Sequence, residues 1–146
     1  PLGGWREAHA LPRRTAIDWA HQVKWLVDEA YPDAEKIVLV MDNLNTHTTA
    51  SLYKAFPPDE AFRISQKLEI HYTPKHGSWL DIAEIELSAL TVQCLLNVRI
   101  PTLEDLKRIL DAWSLNRNTD QKGVSWHFTS ETARVKLAHL YPEIKF

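Results

Sequence analysis

The chain has 146 residues, an apolar fraction of 45% and a formal charge of −2. That is enough for one domain with a real core, and it carries no global basic field, so any polyanion has to be met by local patches. A lone Cys94 set among Val92, Leu95 and Leu96, no run of the roughly 20 apolar residues a membrane helix needs, and no signal-peptide pattern together exclude disulfide scaffolds and membrane spans and place the chain in a reducing, cytoplasmic setting.

The opening Pro1-Leu2-Gly3-Gly4 has neither an initiator Met nor a capping signal and reads as a cut through a longer protein. Residues 5–11 (W-R-E-A-H-A-L) roughly alternate apolar and polar side chains, which predicts a half-buried strand closed by Pro12. Over residues 15–31 the set Ile17, Trp19, Ala20, Val23, Leu26, Val27 and Ala30 follows a helical period, with Thr15 as N-cap and Pro32 as the stop. The run Ile37, Val38, Leu39, Val40, Met41 is β-rich and apolar without alternation, the pattern of a strand covered on both faces in a parallel sheet flanked by helices. Strand, helix and strand then read as a right-handed β-α-β unit. A helix over residues 46–56 ends at Pro57-Pro58, residues 59–67 are polar and irregular, and residues 68–72 (L-E-I-H-Y) form a short strand before the loop Thr73-Pro74-Lys75-His76-Gly77-Ser78. The remainder is helical between breaks: residues 79–97, residues 103–115 behind the cap Thr102, and residues 130–140. There is no internal repeat and no low-complexity tract.

Two places carry candidate chemistry. The strand at 37–41 runs into Asp42, followed by Asn43, Asn45 and His47, and open α/β sheets place their reactive groups at such strand ends. Asp and Asn also end strands and cap the next helix, with Asn45 or Thr46 as the cap here, and the residues alone weigh the two readings evenly. On the helix at 79–97, Leu80, Ala83, Leu87, Leu90 and Cys94 form one apolar stripe and Ile82, Ile85, Ala89 and Leu96 a second, which predicts packing on two sides. Glu84 and Glu86 both flank the first stripe. Buried, either needs a cation partner; solvated, either merely favours the helix's positive end, and helical geometry does not choose between them. The seven His and single Cys show no zinc spacing, and Trp19, Trp25 and Trp113 fall on helices as core residues.

Taken together, Asp42-Asn43 with His47, then a strand, then Pro74-Lys75-His76-Gly77-Ser78-Trp79-Leu80-Asp81-Ile82-Ala83-Glu84 resembles the DDE transposases of bacterial insertion sequences related to mariner elements. In that family the second catalytic Asp opens a D-N-x-x-x-H motif at a strand end, and the catalytic Glu closes an L-N-x-x-E motif near a helix start. Asp42 and Glu84 match these positions, with Asp81 where the family often has Asn. The tail Val124-Ser125-Trp126-His127-Phe128-Thr129 with Ala133-Arg134 is similar to the ending of such enzymes, so the resemblance covers essentially the chain from Trp5 onward.

The resemblance implies an α/β, ribonuclease-H-like fold, a mixed sheet flanked by helices and truncated at the N-terminus. The whole chain would be the carboxyl-terminal part of a single transposase catalytic domain. It further implies DNA strand cleavage and strand transfer by two-metal phosphoryl transfer, with Asp42 and Glu84 holding Mg²⁺ or Mn²⁺. Asn43 and His47 would support the ligands, and Lys75 and His76 would touch the DNA backbone. The expected partners are transposon ends, target DNA and further copies of the chain, at the nucleoid of a bacterial cytoplasm. One departure matters. No residue matches the family's first catalytic Asp: Glu7, Asp18, Asp28, Asp33 and Glu35 precede Asp42, but none lies in a matching motif. The chain alone is therefore expected to bind metal weakly, to leave DNA uncut, and to present an unpaired edge beside residues 37–41. The alternative is an inactive transposase remnant serving as an oligomerisation or DNA-binding module.

Overall fold

A computed structural model describes residues 3–73, 82–125, 127, 129–136 and 138. Its elements are α1 (Ala16–Trp25), which runs on into a π-helical turn (Leu26–Ala30), then β1 (Ile37–Met41), α2 (Thr49–Ala55), α3 (Pro58–Gln66) and β2 (Leu68–Tyr72). After these come α4 (Ile82–Leu90) with a second π-helical turn (Thr91–Leu95), α5 (Leu103–Asp120) and α6 (Ser130–Lys136). The fold is mixed α/β and mostly helical. No described helix is long and apolar enough to cross a membrane.

Local chemistry explains most boundaries. Thr15 and Asp18 form a reciprocal capping box at the start of α1: the Thr15 hydroxyl accepts from the Asp18 N–H at 3.2 Å, and the Asp18 carboxylate accepts from the Thr15 N–H at 2.7 Å. The helix widens in its last turn, where the Tyr31 N–H reaches the Leu26 carbonyl at 3.0 Å, and Pro32 prevents continuation. Thr102 caps α5 by accepting from the Asp105 N–H at 3.0 Å. That helix then extends past residue 115, ending at Gln121 in the left-handed conformation.

β1 and β2 pair in parallel with Ile37 opposite Leu68 and Met41 opposite Tyr72, and α2 and α3 make the crossover between them. The β-α-β unit thus begins one strand later than the sequence predicts. Three further expectations are corrected. Residues 5–11 are extended but join no ladder. Residues 58–66 are helical rather than irregular: Pro58 is preset for the first turn, Asp59 and Glu60 sit at the positive end of the helix and Arg63 at the negative end. Only Ala61 and Ile64 of that helix are buried, too narrow a stripe to announce itself as a period. Finally, β1 is not covered on both faces, since Ile37, Leu39 and Met41 turn inward while Val38 and Val40 are 62% and 56% exposed. The expected mixed sheet is, among the described residues, a parallel pair, and β1 has no strand on its other edge.

Two cores result. The first lies between α1, α2 and α3 and the inner sheet face, built from Ala20, Val23, Val27, Leu52, Ile64 and Leu68. Leu52 and Ile64 are fully buried and contribute on the order of 2 kcal/mol each. The second joins Leu90 of α4 to Leu110 and Trp113 of α5, with Ala8, Ala10 and Cys94 packed against them. The Trp113 indole N–H is satisfied by Gln93 at 2.9 Å. α4 is therefore packed on one side, because Ile85 and Leu87 are exposed, as are Val92 and Leu96 just beyond it.

Residues 5–11 pass between the two cores, and their alternation has a use. Trp5 meets Tyr31 and His9 meets Trp25, both edge to face, while Arg6, Ala8 and Ala10 face α4 and α5. The Arg6 guanidinium grips Glu86 of α4 through two parallel bonds of 2.6 and 2.9 Å and also donates to the carbonyls of Gly4 and Lys122. Asn118 of α5 takes the place of a neighbouring strand: its carbonyl accepts from the Arg6 N–H and its amide donates to the Arg6 carbonyl, each at 2.7 Å. Gly4 has φ +86° and crosses the end of α5 so closely that a Cβ would lie 2.3 Å from the Gln121 carbonyl oxygen. No other residue fits there without displacing backbone.

Arg6 and Glu86 have side chains only 3% and 11% exposed, so removing one strands the other. Arg6→Met is expected to cost about 3 kcal/mol in urea unfolding, and Arg6→Met with Glu86→Leu to recover most of it. Arg6 holds the Glu86 carboxyl below its ordinary value, and the Arg63 hydrogen bond holds Asp28 down to about 2 from 3.8. Both folded values are depressed, so the stability they add is full above the unfolded values and drains as pH falls through the folded ones. An acid titration of Asp28→Asn should lack the component that wild type loses between pH 3.8 and about 2.

Candidate active site

β1 delivers the chain to Met41, buried at the end of the inner sheet face, so Asp42 emerges at the carboxyl end of the strand with its side chain 36% exposed. The following turn is closed by the His47 N–H bonding the Leu44 carbonyl at 3.0 Å. Two side chains from other elements pin that turn: the Ser51 hydroxyl of α2 donates to the Thr46 carbonyl at 2.7 Å, and the Tyr72 hydroxyl at the end of β2 donates to the His47 carbonyl at 2.8 Å. The turn thereby brings His47 back beside the strand end. Its Nδ1 lies 2.6 Å from Asp42 Oδ1, which leaves Oδ2 outside that contact.

Asp42 caps no helix. The N-cap position of α2 belongs to Thr48, not to Asn45 or Thr46, so the capping explanation for the strand-end cluster does not hold. Asn43 is exposed in the same turn. On the far side of His47 the indole of Trp19, carried by α1, stacks on the imidazole at a centroid distance of 5.8 Å and an interplanar angle of 22°. Trp19 and His47 also form part of the wall of a trough of about 300 Å³, together with Val23, Leu39, Met41 and Glu7.

The two carboxylates of α4 part company. Glu86 is consumed by Arg6, with Arg117 of α5 a further 3.5 Å away. Glu84, in the first turn, is exposed and makes no hydrogen bond or ion pair with another described residue. Helical geometry leaves the choice between Glu84 and Glu86 open, and the fold settles it: Glu86 lies on the buried side with Leu90. Glu84 is not gathered with Asp42 and His47: among the described residues no three His, Cys, Asp or Glu side chains are grouped to hold a metal ion. Lys75, His76 and the rest of residues 74–81, which lead from β2 to α4, lie outside the described residues, as do Trp126 and Phe128.

Three of the acidic residues before Asp42 have other employment. Asp18 is in the capping box, Asp28 binds Arg63 and Lys24, and Glu7 lies 3.4 Å from His9. Reading the sequence locally missed Trp19 and Tyr72 as neighbours of the strand end. Nothing short-range announces either, since one reads as a helix core position and the other as the last residue of a strand.

In comparison with known proteins, residues 3–107 match the family model described as DDE superfamily endonuclease. No curated protein and no solved structure matches the chain.

With Glu86 structural and Glu84 open, the two neighbours should respond oppositely to neutralisation. Glu84→Gln is expected to leave unfolding free energy within about 0.5 kcal/mol of wild type. Glu86→Gln should lose several times that by the same urea measurement, because it removes the charge from a buried bidentate pair.

Proposed function

The chain belongs to the DDE superfamily endonucleases, and from that premise we propose that it is the carboxyl-terminal part of a transposase catalytic domain of the insertion-sequence type, with Asp42 and Glu84 as two of its metal ligands. Family membership implies a ribonuclease-H-like fold, a DNA substrate and the use of divalent metal. The observation that carries the finer reading is the Asp42 carboxylate: it stands at the strand end, turned to His47 through one oxygen, and is used neither as a cap nor in an ion pair with a described Lys or Arg.

The donor chemistry fits Mg²⁺ or Mn²⁺, which take hard carboxylate oxygens, and both Asp42 Oδ2 and the Glu84 carboxylate are free of described cationic partners. Bound divalent ions supply polarisation of the scissile phosphodiester and activation of the attacking water or 3′-hydroxyl. The chain's own part is to hold that chemistry in place. Asp42 is fixed by the β1 end and by His47, Glu84 is presented on the first turn of α4, and Lys75 and His76 contact the DNA backbone from the connection between β2 and α4. Asn43, in the turn after Asp42, supports the same ligand. With no matching third carboxylate, the chain binds metal weakly and leaves DNA uncut by itself.

Self-association belongs to the same proposal. Val38 and Val40 on the outer sheet face, and Leu87, Val92 and Leu96 beside α4, are more than half exposed, more apolar surface than isolated side chains would present. The same surfaces favour the second reading, a remnant that acts only as an oligomerisation or DNA-binding module.

Mn²⁺ binding followed by electron paramagnetic resonance separates the two. Asp42→Ala and Glu84→Ala are each expected to weaken it by more than about tenfold, the loss that even a ligand's neighbours produce. Equal binding by wild type and both variants would leave only the remnant reading, and robust Mg²⁺-dependent nicking by the chain would overturn the missing third ligand. Lys75→Ala should weaken binding to DNA of any sequence and reduce the salt slope by about 1.

A further inference from the structure

We propose that Trp19 is a positioning residue for Asp42, acting through the imidazole of His47, an inference that rests on the assignment of Asp42 as a metal ligand. The turn bond to Leu44 and the Tyr72 hydroxyl fix the backbone of His47, but neither fixes its ring. A single Nδ1 contact with Asp42 Oδ1 at 2.6 Å holds one edge of the imidazole and leaves it free to tilt about that edge. The near-parallel indole face, 5.8 Å between centroids and 22° between planes, removes the tilt. Trp19 is itself held, since it lies on α1 and packs, partly buried, against the first core.

The chain of contact therefore runs from a core helix, through an aromatic stack, to the edge of a ligand carboxylate. Its effect is to keep Asp42 Oδ1 engaged with His47 while Oδ2 stays outside that contact, so that the carboxylate offers one oxygen without reorganising. Groups that orient a ligand in this way commonly change metal affinity by about 10- to 100-fold when removed. An ordinary core tryptophan would show none of this, because losing it lowers stability without touching the affinity of the folded fraction.

The test is Mn²⁺ affinity of the purified chain, measured below the unfolding transition, for Trp19→Leu, Trp19→Phe, His47→Ala and the Trp19→Leu/His47→Ala pair. The leucine variant keeps an apolar side chain but loses the ring face, so it should bind about tenfold more weakly, while phenylalanine restores most of the affinity. In the His47→Ala background the leucine change should add nothing, since the two act in series. A wild-type measurement stands beside these and needs no variant to fold: during a Mg²⁺ titration followed by NMR, the Trp19 indole N–H and the His47 ring resonances should move with one midpoint. Unchanged affinity in Trp19→Leu, additive losses in the pair, or a Trp19 resonance that stays still while His47 moves would each overturn the proposal. If instead Asp42→Ala binds Mn²⁺ as wild type does, the ligand assignment itself has failed, and the Trp19 inference falls with it.

Discussion

A planar fork closing on a carboxylate holds the two halves of this chain together. Arg6 comes from an extended segment that belongs to no sheet, and Glu86 from a helix 80 positions away, yet they meet through two parallel bonds with almost no water around them. A buried ion pair of this kind adds little net stability over a good apolar packing, because desolvating both charges costs nearly what their attraction returns. Its consequence is register. Only one placement of the segment satisfies the guanidinium with Glu86, Gly4 and Lys122 while Asn118 matches the Arg6 backbone, and that placement also points Trp5 and His9 at α1 and Ala8 and Ala10 at α5.

The same pair sorts the acidic residues of α4. Two glutamates stand two positions apart on one helix, and burial of either requires a cation. Arg6 reaches Glu86, so Glu86 becomes part of the framework and Glu84 is left facing outward with its charge unspent. A comparable sorting occurs before the strand end. Asp18 is taken by Thr15 and Asp28 by Arg63, whereas Asp42, at the tip of β1, meets the His47 ring rather than a cap or a fixed cation.

Much of the local structure was legible. The Thr15 and Thr102 caps, the stop at Pro32 and both strands appear where the residues put them, because each depends on contacts within a few positions: a hydroxyl reaching an N–H three residues on, a pyrrolidine ring blocking the next turn, a run of β-branched side chains. What failed was inference about faces. The all-apolar run at β1 suggested cover on both sides, while Val38 and Val40 in fact lie open; the two stripes on α4 suggested two packed sides, while Leu87 of one and Ile85 of the other are both exposed. Residues 5–11 alternate like a strand but take their backbone partners from an asparagine side chain, and α3 hides its short apolar stripe among charges.

By itself the sequence determined the two paired strands and the caps of α1 and α5, and its resemblance to the endonuclease family is met by the family match over residues 3–107. Tertiary structure alone decided which glutamate is buried, that His47 turns back onto Asp42, and that Trp19 from a different helix lies flat against it. The division has a physical cause. Caps and propensities are energies between near neighbours, recorded in adjacent letters, whereas the cost of burying a charge or tilting a ring is settled by groups that only the folded chain brings within a few ångströms.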